Sequence, residues 1–229
     1  SKLNDASDAL QAGLYPAAVK HLLSAAKLKR LDADPRAVVD AFTAPASLAA
    51  ALEAYLGGRQ FLLLVEDMEE AGRCINRLKQ NAAGVASFLP LERARPRYPN
   101  KAYRLPPRGV IGWAMDLIKV EEHWRPAIEH VMGDLLIVES YDVGKALVRE
   151  GFRGPIVSAE GDVFQPGGTV SGGRSQKSGR VLEMKAQVAK LEEEYAKAAA
   201  AAEELSKKFK SAEDREMSVS EQKELYPRK

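Results

Sequence analysis

The feature that most restricts the fold is a repeat inside the chain. Leu52-Glu53-x-x-Leu56-Gly57 matches Ile128-Glu129-x-x-Met132-Gly133, and Leu63-Leu-Val-Glu66 then matches Leu136-Ile-Val-Glu139. Each match is an amphipathic helical end stopped by glycine, followed by a short continuous apolar run. Such runs mark strands buried on both faces. Val85-Ala-Ser and Ile156-Val-Ser close the two copies. Each copy reads helix, glycine turn, buried strand, helix, strand. The chain is therefore expected to be mixed α+β or α/β, built from two similar α/β half-domains side by side.

Local signals fill in the pattern. Leu3, Ala6 and Leu10 predict a short amphipathic helix over residues 1–12, stopped by Gly13. Pro16 opens a helix to residue 27 with Val19, Leu22, Leu23 and Ala26 on one face. Residues 30–45, broken by Asp34-Pro35 and Ala44-Pro45, give no clear period. Ser47 is the expected cap of a helix through Leu56, and Asp67 that of a helix from Met68 to about Asn81, with Ala71, Cys74, Ile75 and Leu78 inward. Residues 61–65 and 85–89 read as strands, and 111–120 fits neither class. A helix over 121–132, a strand over 135–139, a helix over 142–150 and a strand over 155–159 complete the second copy.

From Met184 the period changes. Met184, Val188, Leu191, Tyr195, Ala198, Ala202, Leu205, Phe209 and Ala212 follow one another in steps of four and three. That is the 3.5-residue spacing of a coiled-coil seam. The other faces are charged, so the seam needs a partner helix. The N-terminal segment is too short to supply all of it, so the partner is expected to extend before residue 1, in a longer protein of which this sequence is a piece. The organisation is then a coil stub at 1–13, a first half at 14–92, a linker at 93–108, a second half at 109–178 and a coil stub at 179–229.

Between the second half and the seam lies Gly161-Asp-Val-Phe-Gln-Pro-Gly-Gly-Thr-Val-Ser-Gly-Gly173, five glycines in thirteen residues. Glycine at this density permits close approach of another backbone. The segment is expected to bind through its main chain or to pack against another chain.

Other motifs carry less. Gly168-Thr-Val-Ser-Gly-Gly173-Arg174-Ser175 approaches a phosphate-binding loop, but arginine replaces the lysine that reaches the phosphates. Phe61-Leu-Leu-Leu-Val-Glu-Asp67 resembles the strand that accompanies such loops, and equally a buried strand with a helix cap. Glu66-Asp67, Glu69-Glu70 and Glu121-Glu122 stand where helices begin and suit helix dipoles better than acid–base chemistry. His21, His123 and His130 have no nucleophile near them in sequence, and Cys74 sits on an apolar helix face. No catalytic set, no metal set and no cofactor site is expected. A single cysteine excludes an internal disulfide and suits a reducing compartment. No apolar run approaches the length of a membrane span.

The net charge of +2 does not announce a nucleic-acid binder. Arg93, Arg95, Arg97, Lys101, Arg104 and Arg108 are nevertheless six cations without an acid in sixteen residues, with Tyr98 and Tyr103 among them. That composition suits phosphate contacts, Arg95 and Arg97 foremost, and equally a solvated connection between halves. A stand-alone nucleic-acid-binding module using this loop is one alternative reading of the chain, and a P-loop nucleotide-binding enzyme using Gly168–Ser175 is a remoter one.

Three segments resemble the hinge domain of SMC proteins, the chromosome-organising ATPases, in a bacterial form. Gly84-Val-Ala-Ser-Phe-Leu-Pro-Leu91 is similar to the family's Gly-x-Ala-x-Phe-Leu-Pro-Leu strand. Gly109-Val-Ile-Gly-Trp-Ala-Met-Asp-Leu-Ile118 is similar to its segment between halves, and Gly161–Gly173 to its hinge-to-coil signature. Residues 28–48 depart from the family pattern: Leu31-Asp-Ala-Asp-Pro-Arg-Ala-Val-Val-Asp-Ala-Phe42 stands where a first Gly-Val-x-Gly-x-x-x-Asp-Leu copy is expected. The resemblance implies a homodimer that joins coiled-coil arms, with contact at Gly167, Gly168, Thr169, Val170, Gly172 and Gly173. It implies an antiparallel intramolecular coil leading to a distant ATPase head that lies outside this sequence. It implies DNA contact by Arg174, Lys177 and Arg180, with Lys20 and Lys27. A cytoplasmic, nucleoid-associated setting follows from it.

Overall fold

A computed structural model gives the structure of the chain and describes residues 15–100, 103, 106, 108–173 and 181–225. The helix expected over 1–12, with its stop at Gly13, lies outside the described residues.

In the first half, α1 (Ala17–Lys27) turns Ala18, Val19, Leu22 and Ala25 into the core, while Leu23 and Ala26 lie at the margin of that face. Then come β1 (Arg36–Ala37), a 3-10 turn over Val38–Asp40, and β2 (Phe42–Thr43). Helix α2 (Ala46–Leu56) begins after Pro45, so Ser47 is inside the helix and is not its cap. Gly57, at φ 50, ends it in the left-handed region that favours glycine. A 3-10 turn over Gly57–Phe61 follows, so the apolar run forms a strand only over β3 (Leu63–Val65). Helix α3 (Met68–Gln80) is capped as expected, with the Glu70 amide donating to Asp67 Oδ1 at 2.7 Å. Ala71, Cys74 and Leu78 are buried, but Ile75 is turned partly to solvent. Strand β4 (Phe88–Pro90) closes the half, parallel to β3, with β1 antiparallel on the other side of β3.

The second half repeats this path. Strand β5 (Val110–Trp113), α4 (Ala114–Leu117) and β6 (Lys119–Val120) resolve the ambiguous stretch. A 3-10 turn over Glu122–Trp124 leads into α5 (Arg125–Met132), shorter than the helix expected from Glu121. Then come β7 (Leu136–Val138), α6 (Tyr141–Arg149), and β8 (Ile156–Ser158) parallel to β7. Strands β9 (Val163–Phe164) and β10 (Val170–Ser171) extend this sheet to the order β10-β9-β8-β7-β5.

Hydrogen bonds show which residues are equivalent. The Val38 amide donates to the Leu62 carbonyl and the Ala114 amide to the Leu135 carbonyl, each at 2.9 Å. The Leu63 amide donates to Ser87 and the Leu136 amide to Pro155 in the same way. Two corrections follow. Ile156-Val157-Ser158 corresponds to Phe88-Leu89-Pro90, three residues beyond the Val85-Ala86-Ser87 match, and Val85 is 91% exposed. Residues 36–43, unreadable in sequence, are the first copy of 112–119, with a 3-10 turn where the second copy has α4.

Strands β2 and β6 pair with each other, Phe42 with Val120 and Thr43 with Lys119, and so join the halves. One hydrophobic cluster runs through both, from Leu22, Leu52 and Leu63 to Ile128, Met132 and Ile137. A second cluster of Leu136, Val138, Leu147, Phe152, Ile156 and Phe164 lies on the other face of the larger sheet.

Helix α7 (Val181–Leu225) has 45 residues, about 67 Å at 1.5 Å per residue. The body extends to Ala186, and residues 187–225 form a separate unit, a single helix. Along it Leu191, Tyr195 and Leu205 of the predicted seam are 60%, 64% and 67% exposed, and Ala198 and Ala202 are exposed as well. Met184 and Val188 are half-buried, and the side chain of Phe209 is outside those described. Ion pairs Lys207–Glu203 and Lys208–Glu204, both at 2.8 Å, hold other positions of the helix.

Candidate dimer interface and coil junction

The glycine-rich segment folds as a hairpin. Val170 pairs with Phe164 and Ser171 with Val163. In the loop the Gln165 amide donates to the Thr169 carbonyl at 2.8 Å and the Gly168 amide to the Gln165 carbonyl at 2.9 Å. Bonded and non-bonded pairs alternate along an antiparallel ladder. The Phe164–Val170 pair is therefore non-bonded, and Val170 directs its amide and carbonyl away from β9. No strand lies there among the described residues, since β10 ends its sheet. Val170 itself is 49% exposed. An apolar edge strand left bare is a template for pairing with another chain.

The glycines divide by role. A Cβ on Gly167 would meet nothing within 4 Å among the described residues, so none of them asks for glycine there. Gly168 and Gly173 have φ 87 and 112, which demands glycine on backbone grounds alone. Gly172 serves its own fold: a Cβ would lie 2.4 Å from Asp162 Oδ1. Asp162 is held there by the Ser158 hydroxyl, which donates to its Oδ2 at 2.8 Å.

A complementary edge exists in the first half. Strand β8 carries β9 on its outer side, whereas its equivalent β4 ends the sheet β1-β3-β4. Beside this edge stands exposed Val85, after Gly84 at φ 93. Among the described residues the body thus has a strand edge carrying Val170 to offer at one end and a strand without an outer neighbour at the other.

The coil root is anchored in the body. Val181 and Leu182 are buried. The Leu182 amide, one of the free donors of a helix start, donates to Glu53 Oε1 on α2 at 2.6 Å. Sequence spacing alone cannot show this contact, because Glu53 and Leu182 are 129 residues apart.

The basic residues separate. Lys20 and Lys27 are exposed on α1, while Arg174, Lys177 and Arg180 lie outside the described residues. Arg97 is engaged by the body: its guanidinium donates to the carbonyls of His130 at 2.9 Å and Val131 at 2.8 Å, and lies 3.6 Å from Asp134. It satisfies the carbonyl end of α5. The Arg95 amide donates to His130 Nδ1 at 2.9 Å, and its guanidinium to the Ala94 carbonyl at 3.0 Å. Gly133 is required by this clamp, since a Cβ there would lie 1.9 Å from the Arg97 carbonyl oxygen.

Several of the remaining candidates have structural roles. The phosphate-loop resemblance places β10, an extended strand, where a cradle would have to curl. Asp67 is a helix cap. Glu70 is buried and accepts the amides of Asp34 at 2.5 Å and Glu66 at 2.6 Å. His123 bonds Glu66 at 2.6 Å and meets the Trp124 ring edge-on. Burial, with Glu70 beside it, pushes the Cys74 thiol up to about 11, away from reactivity.

Comparison with known proteins agrees with this architecture. Residues 34–148 match the model of the SMC proteins Flexible Hinge Domain. The chain is 35% identical over 131 residues to the Chromosome partition protein Smc of Methanocaldococcus jannaschii, covering 57% of this chain and 11% of that protein. It is 32% identical over 168 residues to the protein of the same name from Bacillus subtilis, covering 72% of this chain and 14% of the other. The chain thus spans a small fraction of the length of these relatives. Among solved structures, an asymmetric dimer of the Geobacillus stearothermophilus SMC hinge domain superposes with a TM-score of 0.73 at 24% identity, covering 86% of this chain and 84% of that one. The Pyrococcus furiosus SMC hinge domain gives 0.58 at 23% identity over 76% and 88%.

Proposed function

The chain belongs to the SMC proteins and spans their hinge domain, and on that premise we propose that it joins two copies edge to edge, β10 of each copy adding to β4 of the other. The hinge is the non-catalytic dimerisation module of these proteins. The observation that carries the proposed contact is the mismatch between the halves: among the described residues β8 has an outer neighbour and its equivalent β4 has none, while the outer edge of β10 carries no strand and Val170 on it is exposed. A two-fold operator makes both contacts at once and leaves neither edge open. Gly167, Gly168 and Thr169 would stand at the contact, and Gly172 and Gly173 at its far end.

Val170→Pro tests this. Proline removes an amide that faces away from β9, a placement edge strands tolerate. The hairpin should persist while dimer affinity falls at least about a hundredfold, the scale of a few lost strand contacts. Val170→Thr, which keeps the amide, should dimerise. A Val170→Pro protein with unchanged affinity would refute strand addition.

Within the same proposal, the exposed face of α1 with Lys20 and Lys27 contacts DNA, together with Arg174, Lys177 and Arg180. The seam of α7 packs on a partner helix of the same polypeptide that leads to an ATPase head, and the protein works on the nucleoid. Binding to duplex DNA should weaken linearly in log–log with salt. Alanine at Lys20, Lys27 and Arg180 should flatten that slope by up to about one unit per lost phosphate contact. An unchanged slope would remove these residues from the DNA surface.

A further inference from the structure

Asp40 lies at the meeting point of three parts of the body. Its Oδ1 accepts the Tyr15 hydroxyl at 2.6 Å, from the residue before Pro16 and α1. The same oxygen pairs with Lys185 Nζ, in the second turn of α7, which also donates to the Val39 carbonyl at 2.9 Å. The Asp40 carbonyl in turn accepts Arg36 Nε at 3.2 Å. Arg36 pairs across the seam with Glu121, whose own amide donates to the Ala41 carbonyl at 3.0 Å. Arg36 and Ala41 belong to the first half, Glu121 to the second. The Asp40 and Lys185 side chains are only 18% and 21% exposed, so this pair is poorly screened by solvent. Tyr15 is packed edge-on against Phe61, and burial followed by the Asp40 charge raises its hydroxyl well above the ordinary tyrosine range.

We propose that Asp40 is a latch that ties the root of α7 and the entry to α1 to the β2·β6 seam between the halves. One carboxylate serves both roots, so losing it releases both together. Leu182 and Glu53 fix the start of α7, while Lys185 and Asp40 hold its second turn. The latch rests on contacts within one copy and does not depend on the dimer contact proposed above. In such a latch Tyr15, Asp40 and Lys185 are energetically coupled, and double-mutant cycles measure that coupling.

Amide hydrogen exchange in the 229-residue chain tests it. Asp40→Asn should raise exchange at amides 184–188 about tenfold, the scale of one lost charge-assisted hydrogen bond, with β7 unchanged. Lys185→Met should do the same, and the double variant should exceed neither single by more than about twofold. Tyr15→Phe in the Asp40→Asn background should have no further effect. If Asp40→Asn also accelerates β7, the whole body has loosened, and Lys185→Met alone then decides. Unchanged exchange at 184–188 in Lys185→Met, or multiplicative effects in the double variant, would overturn the latch.

Discussion

Thr43 and Lys119 face each other across the β2·β6 pair, and each is the counterpart of the other in the two halves. A local two-fold axis therefore passes through that residue pair. The halves meet there by one short ladder, yet they share a continuous core that includes Leu52, Leu63, Ile128 and Ile137. A core common to both halves means neither loses its packing alone. The body should unfold in one step. Labelling of Cys74 reports the first half and fluorescence of Trp113 and Trp124 the second. The two probes should give the same denaturant midpoint, and separated midpoints would show that the halves are independent.

Ala82 ends α3 in the conformation that Gly151 provides at the end of α6. Their φ values are 48 and 96, and the next amides, Ala83 and Phe152, reach back to Leu78 and Leu147 at 3.0 and 2.9 Å. Alanine is strained in this region and glycine is not. Ala82→Gly should stabilise the body by roughly 0.5–1 kcal/mol, and Gly151→Ala should destabilise it by about as much. Both are read from denaturant midpoints at constant slope.

Cys74 gives the body a sensitivity to alkali. Burial first, and Glu70 second, raise the thiol from 9.0 to about 11. The folded state thus holds a proton that the unfolded chain releases above pH 9. The associated stability is complete below pH 9 and is lost as pH rises towards 11. The loss should reach about 2–3 kcal/mol at pH 11. Cys74→Ala, whatever its constant cost, should lack this part of the decline in unfolding measured from pH 8 to 11.

Arg97 separates structure from DNA contact in the linker. Its guanidinium satisfies the His130 and Val131 carbonyls at the end of α5. Arg97→Ala should destabilise the body by about 1–3 kcal/mol and leave the salt slope of DNA binding unchanged. A stable variant with a flattened slope would instead favour the linker as a nucleic-acid surface.

Much of the fold is legible in the chain because buried strands such as Leu63–Val65 and Leu136–Val138 are written as continuous apolar runs, and Asp67 and Gly57 punctuate their helices. Sequence alone displaces the register of the last strand pair by three residues because Val85-Ala-Ser has strand composition although Val85 faces solvent, while Pro90 disguises the real strand. Residues 36–43 were opaque because two-residue strands around a 3-10 turn have no period to detect. At the candidate site, the glycine density marks the segment as a place of backbone contact, but its hairpin fold is seen only in the strand pairing. That density does not distinguish Gly172, which makes room for Asp162, from Gly167, which meets nothing within 4 Å among the described residues. Arg97 read as a free cation because its acceptors are backbone carbonyls, which leave no mark in a sequence.

The central claim is that two copies join through the β10 and β4 edges. Sedimentation equilibrium over a concentration series tests it most directly. The chain of 25.0 kDa should approach twice that mass, and Val170→Pro should return it towards one copy with its folded signature intact. A chain that stays at 25.0 kDa at the highest concentration, or a Val170→Pro protein that keeps the doubled mass, would contradict the account.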